Sequence, residues 1–208
     1  MIPAYLGPER CLSDRLIRKM CVLANISRNT VFYDFGCGLG HVCVIAVTEF
    51  GAKRAVGIEL HRGRAKKARK YVRKLGLSRR IKIRHETFHD SDCSDATVIY
   101  NGTSESEGDL TEYEAKLKNG CRFVTPFLPL VGIIPDAQDY PFYLMRKPFT
   151  KTGNLSRWLF TVLSKKATVS EFFKELDIDL DWQVDKRTLK SLMRKRFDMR
   201  PSKANFRF

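Results

Sequence analysis

Thr30-Val31-Phe32-Tyr33-Asp34-Phe35-Gly36-Cys37-Gly38-Leu39-Gly40, followed by His41 to Phe50, Gly51 and the run Arg54 to Leu60, decides the fold of this chain. An apolar, β-branched and aromatic run ends in an acid. Three glycines at alternate positions follow, then a run with helical spacing that Gly51 stops, then a second short apolar strand ending at Glu59. The pattern predicts strand, tight loop, helix and strand, the parallel crossover unit. A glycine lets the backbone turn sharply or approach a ligand closely, which a β-carbon would block. The dinucleotide fingerprint places its third glycine three residues after the second. Here that position is His41, and the third glycine falls one residue early, at Gly40. Asp34 stands two residues before the first glycine, where a carboxylate repels a pyrophosphate and suits a cationic ligand.

Acid-x-Gly-x-Gly-x-Gly resembles the signature of the class I methyltransferases that use S-adenosylmethionine (SAM). That cofactor carries a sulfonium and an ammonium group, so an acid at the mouth of the loop makes electrostatic sense. The resemblance implies cofactor contacts from Asp34, Gly36, Cys37, Gly38 and Gly40. Glu59, at the end of the next strand, reads as the ribose ligand, because the two oxygens of one carboxylate accept from both ribose hydroxyls.

A chain of 208 residues is long enough for one domain with a real core and an appendage. No apolar run approaches a membrane span and the N-terminus lacks a basic-then-apolar signal, which points to the cytoplasm. The six cysteines form no Cys-x-x-Cys pair and read as buried free thiols rather than disulfides or metal ligands. Asp90, Asp92 and Asp95 lack the glycine and distal glutamate of a calcium loop, and no metal is expected.

The net charge of +15 is unevenly spread. Residues 61–84 carry twelve basic side chains and no acid. Arg62 to Leu75 reads as a helix closed by Gly76, with Ala65, Ala68, Tyr71, Val72 and Leu75 as its apolar stripe. Arg62, Arg64, Lys66, Lys67, Arg69, Lys70, Arg73 and Lys74 cover the rest, and Arg79, Arg80, Lys82 and Arg84 extend the patch. No acid supplies an i,i+4 partner, so like charges repel along this helix. A solvated basic face is the plain alternative to an anionic-surface contact with DNA, RNA or an acidic protein.

Pro3, Tyr5 and Pro8 predict an extended lead-in, and Ser13 caps a helix running to about Ile26. Ile81 to Phe88 alternates as a third strand. Ala96 to Tyr100 is a fourth, Leu110 to Leu117 a helix, and Cys121 to Thr125 a fifth strand. Tyr140 to Arg146 and Trp158 to Ser164 read as two strands joined through Thr152-Gly153-Asn154. The predicted fold is an α/β Rossmann-like sheet of seven strands, mostly parallel, with helices on both faces and an antiparallel pair at the end. It spans residues 1–164, of which 1–29 are lead-in and first helix. Residues 165–208 make a small helical extension whose last helix carries Lys190, Arg194, Lys195 and Arg196.

From Ile2 to about Ser164 the chain resembles two related groups of class I enzymes. They are the archaeal broad-specificity protein-lysine methyltransferases and the non-SET histone-lysine methyltransferases first tied to telomeric silencing. The points of contact are Pro3-x-Tyr5, the Asp34–Gly40 loop, Gly57-Ile58-Glu59, Thr87-Phe88, Val98-Ile99-Tyr100 and Pro126-Phe127. The resemblance implies that the lead-in folds over the cofactor and brings Tyr5 to the reacting centre. It also implies that Glu86, Thr87 and Phe88 meet the adenine. The histone group has Asn-Asn-Phe after the fourth strand; this chain has Asn101-Gly102-Thr103. Asn101, Tyr5 and Phe127 are the candidate walls of an acceptor channel, and a lysine of a basic, chromatin-type protein is the expected acceptor. An RNA or DNA methyltransferase is the alternative. It lacks the Asp/Asn-Pro-Pro-aromatic motif of exocyclic-amine enzymes, because Gly102-Thr103 follow Asn101. An inactive cofactor-binding module docked on nucleic acid is the third reading.

Overall fold

Ser13 opens the first helix as its sequence demands. Its backbone is extended and its hydroxyl accepts from the Leu16 N–H at 3.4 Å, starting α1 (Asp14–Leu23). The helix stops short of the expected Ile26 because Asn25 turns left-handed, with φ 47°. The Asn25 and Ile26 amides then donate to the Val22 and Cys21 carbonyls at 2.9 and 3.1 Å. This is a Schellman closure, which usually uses glycine and was therefore invisible as a stop signal. The helix α3 (Arg62–Lys74) closes the same way at Gly76, φ 70°. Its cap residue Leu75 is consequently exposed rather than part of the apolar stripe.

The structure, a computed structural model, describes residues 12–103, 114–126, 129–130 and 133–150. The chain divides into two units, Met1–Thr150 and Lys151–Phe208, and all described residues fall in the first. Tyr5, Phe127, the expected strand at 158–164, the expected boundary after residue 164, and the extension with Lys190, Arg194, Lys195 and Arg196 lie outside the described residues.

Seven strands form one sheet: β1 (Val31–Phe35), β2 (Arg54–Ile58), β3 (Ile81–Arg84), β4 (Val98–Asn101), β5 (Arg122–Pro126), β6 (Ala137–Asp139) and β7 (Phe142–Arg146). Their order is β3-β2-β1-β4-β5-β7-β6, with β1 to β5 mutually parallel and β7 antiparallel to both of its neighbours. The terminal pair differs from the sequence expectation. The partner of Phe142–Arg146 on its outer side is Ala137–Asp139, and its inner side is taken by β5. Ala137–Asp139 is short and fully exposed, so it carries no alternation to read. The third strand also ends early, at Arg84, and Glu86 to Phe88 belong to the turn that follows.

Helix α2 (His41–Thr48) is apolar on almost every side because it packs on β1, β2 and β3 with α1 beside it on the same face. Right-handed crossovers from β1 to β2 to β3 put α2 and α3 on the same face. There Ile17, Met20, Cys43, Ala46, Ala65, Ala68 and Val72 pack against Phe32, Ala55, Ile81, Ile83 and Val98. Helices α1, α2 and α3 share this face, and the helical turn Glu114–Lys116 leads into Leu117 on the other. The opposite core of Tyr33, Phe35, Val56, Ile58, Ile99, Phe123 and Met145 is closed by Phe88, Cys93, Leu117, Leu130, Ile133 and Phe149. These come from loops and the end of a helical turn at Glu114–Lys116.

Candidate active site

Strand order reverses at β1, which has β2 on one side and β4 on the other. The carboxyl ends of parallel strands part at such a point and leave a crevice for a ligand. Parallel register pairs Phe35 with Ile58 and with Asn101. The loop after β1, Glu59 after β2 and Asn101-Gly102-Thr103 after β4 are thereby brought to one rim.

The loop is a chain of tight turns. Gly36, Gly38 and Gly40 all take positive φ, at 75°, 56° and 81°. The amides of Gly36 and Cys37 both donate to the Ile58 carbonyl at 2.9 Å, tying the loop to β2, and Gly40 caps α2. A β-carbon on Gly36 would stand 2.6 Å from the Thr103 methyl, so the β1 and β4 loops meet there. One on Gly38 would meet nothing within 4 Å, which leaves this backbone open to a close-lying ligand. Gly57, which the sequence reading used only within Gly57-Ile58-Glu59, is crowded from two directions. A β-carbon there would meet the Cys37 sulfur at 2.7 Å and Ile83 Cδ1 at 2.9 Å.

Glu59 is buried, with 3% of its surface exposed, and it is already organised. Oε2 accepts from the Gly38 amide at 2.9 Å. Oε1 accepts from the His61 amide at 2.8 Å and from Arg64 Nη2 and Nε at 2.9 and 3.1 Å. The carboxylate thus joins the glycine loop to the start of α3, where His61 caps the helix through Nδ1. The sequence reading missed Arg64 in this role because it counted the residue among the surface cations.

Asp34 departs from the expectation of an acid at the mouth. It sits within β1, 1% exposed, with the Cys43 thiol donating to Oδ2 at 3.8 Å. Burial pushes its pKa up to about 8, and the nearby Glu59 charge adds to the rise. Its side chain faces α2 through Cys43.

Asn101 ends β4 and is completely buried. Oδ1 accepts from the Thr103 amide at 3.1 Å and from its hydroxyl at 2.7 Å. The Thr103 N–H can only donate, which fixes the amide's orientation and leaves Nδ2 without a hydrogen-bond partner among the described residues. A buried donor with no partner costs about 1–3 kcal/mol and calls for an explanation.

At the far end of the crevice, Ser91 Oγ lies 2.7 Å from Glu86 Oε1 and 3.0 Å from the Thr87 carbonyl. Phe88 is 8% exposed and stacks on Phe35, ring centroids 5.1 Å apart, as part of the second core. Of the acidic turn, Asp92 accepts from the Ser94 amide, and Asp95 pairs with Arg54 and the Tyr33 hydroxyl. Among the described residues no group of three or more His, Cys, Asp or Glu could hold a metal ion, and no helix is long and apolar enough to cross a membrane. The five described cysteines are free and buried.

These residues fit an adenosyl ligand. A buried carboxylate at the end of β2 faces a bare peptide at Gly38, and an orphaned amide hydrogen at Asn101 stands on the other side of β1. Fold and site together define a class I SAM-dependent methyltransferase. The model of the family "Histone methylation protein DOT1" matches residues 11–127, and the chain belongs to that family. A protein-lysine N-methyltransferase of Saccharolobus islandicus (strain REY15A) is 32% identical over 124 residues, 59% of this chain and 77% of that protein. An RNA methyltransferase of Salinibacter ruber, solved with S-adenosyl-L-homocysteine, is similar in structure with a TM-score of 0.61. Its identity is 26%, over 64% of this chain and 91% of that one. A SAM-dependent O-methyltransferase of Thermotoga maritima shares the fold at a TM-score of 0.50, 19% identity, and 61% and 51% of the two chains.

Proposed function

We propose that this enzyme methylates the side-chain amine of lysine in basic proteins, chromatin proteins among them, in the cytoplasm or on the nucleoid. The observation that carries the reading is the position of the buried Asn101 at the end of β4, in register with the end of β1 below the glycine loop. Kinship with a protein-lysine N-methyltransferase supports it.

SAM supplies a methyl group on a sulfonium, already a good leaving group. The chain's task is then placement. Glu59 would take the ribose hydroxyls, with its carboxylate aimed by Gly38 and His61. The loop backbone at Gly38 would lie against the cofactor, and Glu86 and Thr87 would meet the adenine. Phe88, packed in the core, would back that pocket from behind. Asn101, Tyr5 and Phe127 would line the channel through which the amine arrives with its lone pair free to attack the methyl. Holding two reactants in line supplies ~7–11 kcal/mol. The lysine must shed a proton from a reference pKa of about 10.4, and a narrow desolvated channel favours its neutral form. Neither crevice acid is placed as a base, since Asp34 is buried and faces α2 through Cys43 and Glu59 is hydrogen-bonded at both oxygens.

Incubation of the purified chain with labelled SAM and basic chromatin proteins, read by mass spectrometry, tests this; unmodified lysines throughout would remove the claim. A nucleic-acid acceptor is the second reading, favoured by the 26% likeness to an RNA methyltransferase. Label that survives protease and is released by nuclease would select it.

A further inference from the structure

The twelve cations of residues 61–84 are not one population. Four arginines are spent on the protein itself. Arg64 holds Glu59, Arg69 donates to the Ile83 carbonyl, Arg80 to the Val47 and Ala52 carbonyls, and Arg84 to the Asp92 carbonyl. What remains on the outside of α3 is ordered. Arg62, Lys66 and Arg73 follow one row at i, i+4 and i+11, and Lys70 and Lys74 form the row beside it. All five are exposed and none has an ion pair among the described residues. The rows run about 18 Å along a rigid helix. A sequence that only needed solubility would intersperse acids here, and this one tolerates repulsion at every turn.

We propose that the outer face of α3 docks on the phosphate backbone of duplex DNA. Single strands are held by basic grooves interleaved with exposed aromatic rings. The aromatic of α3, Tyr71, packs against the core instead. Duplex RNA is read through its 2′-hydroxyls as well as its phosphates. The 2′-hydroxyl both donates and accepts, and these donor-only lysines and arginines can use just its acceptor side. Protein interfaces are depleted in lysine, whereas three of these five residues are lysines. The docking is independent of which acceptor the enzyme methylates. For a basic-protein substrate it places the enzyme on the polymer that such proteins cover.

The test is fluorescence anisotropy of the full 208-residue chain with a 24-base-pair duplex across a salt series. It compares the natural chain with the variant Lys66→Gln/Lys70→Gln/Arg73→Gln/Lys74→Gln. Far-UV circular dichroism and S-adenosylhomocysteine binding serve as the check on folding. Each lost phosphate contact lowers the slope of log K against log salt by about 0.9, so the variant's slope should be shallower by roughly 3–4. A slope unchanged in this variant, and reduced instead by Lys190→Gln/Arg194→Gln/Lys195→Gln/Arg196→Gln, would overturn the proposal in favour of the C-terminal segment. Tighter binding of single-stranded DNA, of duplex RNA or of polyglutamate than of duplex DNA would overturn it as well.

Discussion

Replacing Glu59 by alanine should damage two things at once, the fold of the loop and the grip on the cofactor. The carboxylate is 3% exposed and accepts from the Gly38 and His61 amides at 2.9 and 2.8 Å. A hydrogen bond to a charged acceptor is worth ~1.5–3 kcal/mol, so the two backbone bonds together are worth about 3–6 kcal/mol. Water entering at the rim recovers part of this, and the Arg64 pair adds little because the Arg64 side chain is 37% exposed. A net loss of about 2–4 kcal/mol is expected. At roughly 2–4 °C per kcal/mol for a chain of this size, the Tm should fall by about 5–15 °C. Loss of two ribose contacts of similar worth should weaken S-adenosylhomocysteine binding by about two to four powers of ten. Glu59→Gln, which keeps one acceptor oxygen, should fall between. Thermal unfolding and isothermal titration calorimetry measure the two effects separately. A lowered Tm with intact affinity would show that Glu59 braces the loop without touching the cofactor. An intact Tm with lost affinity would show that its bonds to Gly38 and His61 carry no weight.

Asn101→Ala should leave S-adenosylhomocysteine affinity within about threefold while kcat falls tenfold or more, since charge-free positioning bonds are worth ~0.5–1.5 kcal/mol and more when desolvated. Equal damage to both in calorimetry and steady-state assays would undo the division of roles between Asn101 and Glu59. Gly57→Ala should lower stability by about 1–3 kcal/mol through overpacking against Cys37 and Ile83, with partial recovery when Cys37→Ala removes the nearest atom, as urea unfolding would report. Asp34 gives stability a pH slope of known sign. Its folded pKa, about 8, lies above its ordinary 3.8, so the folded state holds the extra proton between these values. Stability should therefore fall as pH rises from about 4 to about 8, by up to ~1.4 kcal/mol per pH unit. Urea denaturation of the natural chain and of Asp34→Asn over that range isolates the contribution; parallel curves would show that Asp34 does not titrate there.

Where a residue type forces a backbone state, the sequence was readable. The glycine loop, the β1–α2–β2 crossover, the Ser13 cap and the Gly76 stop follow from local chemistry and stand where expected. Asn25 hid a helix end because it adopts the left-handed turn that glycine usually announces. Ala137–Asp139 hid because an exposed edge strand buries nothing and so has no alternation. At the site, Glu59 and Asn101 could be placed from their strands, but their partners could not. Arg64 reaches Glu59 from the first turn of a helix whose other cations face outward, and composition alone does not separate them. Asp34 was misplaced by a charge argument that knew its sequence neighbours and not its depth.

The contact at Gly57 reaches beyond one glycine. Positions 37 and 57 fill a single allotment of volume beneath the cofactor loop. Their sizes cannot drift independently as this lineage diverges. Relatives that carry alanine or serine at position 57 should have trimmed position 37 to glycine or alanine, and relatives with a side chain bulkier than cysteine at 37 should have left 57 bare.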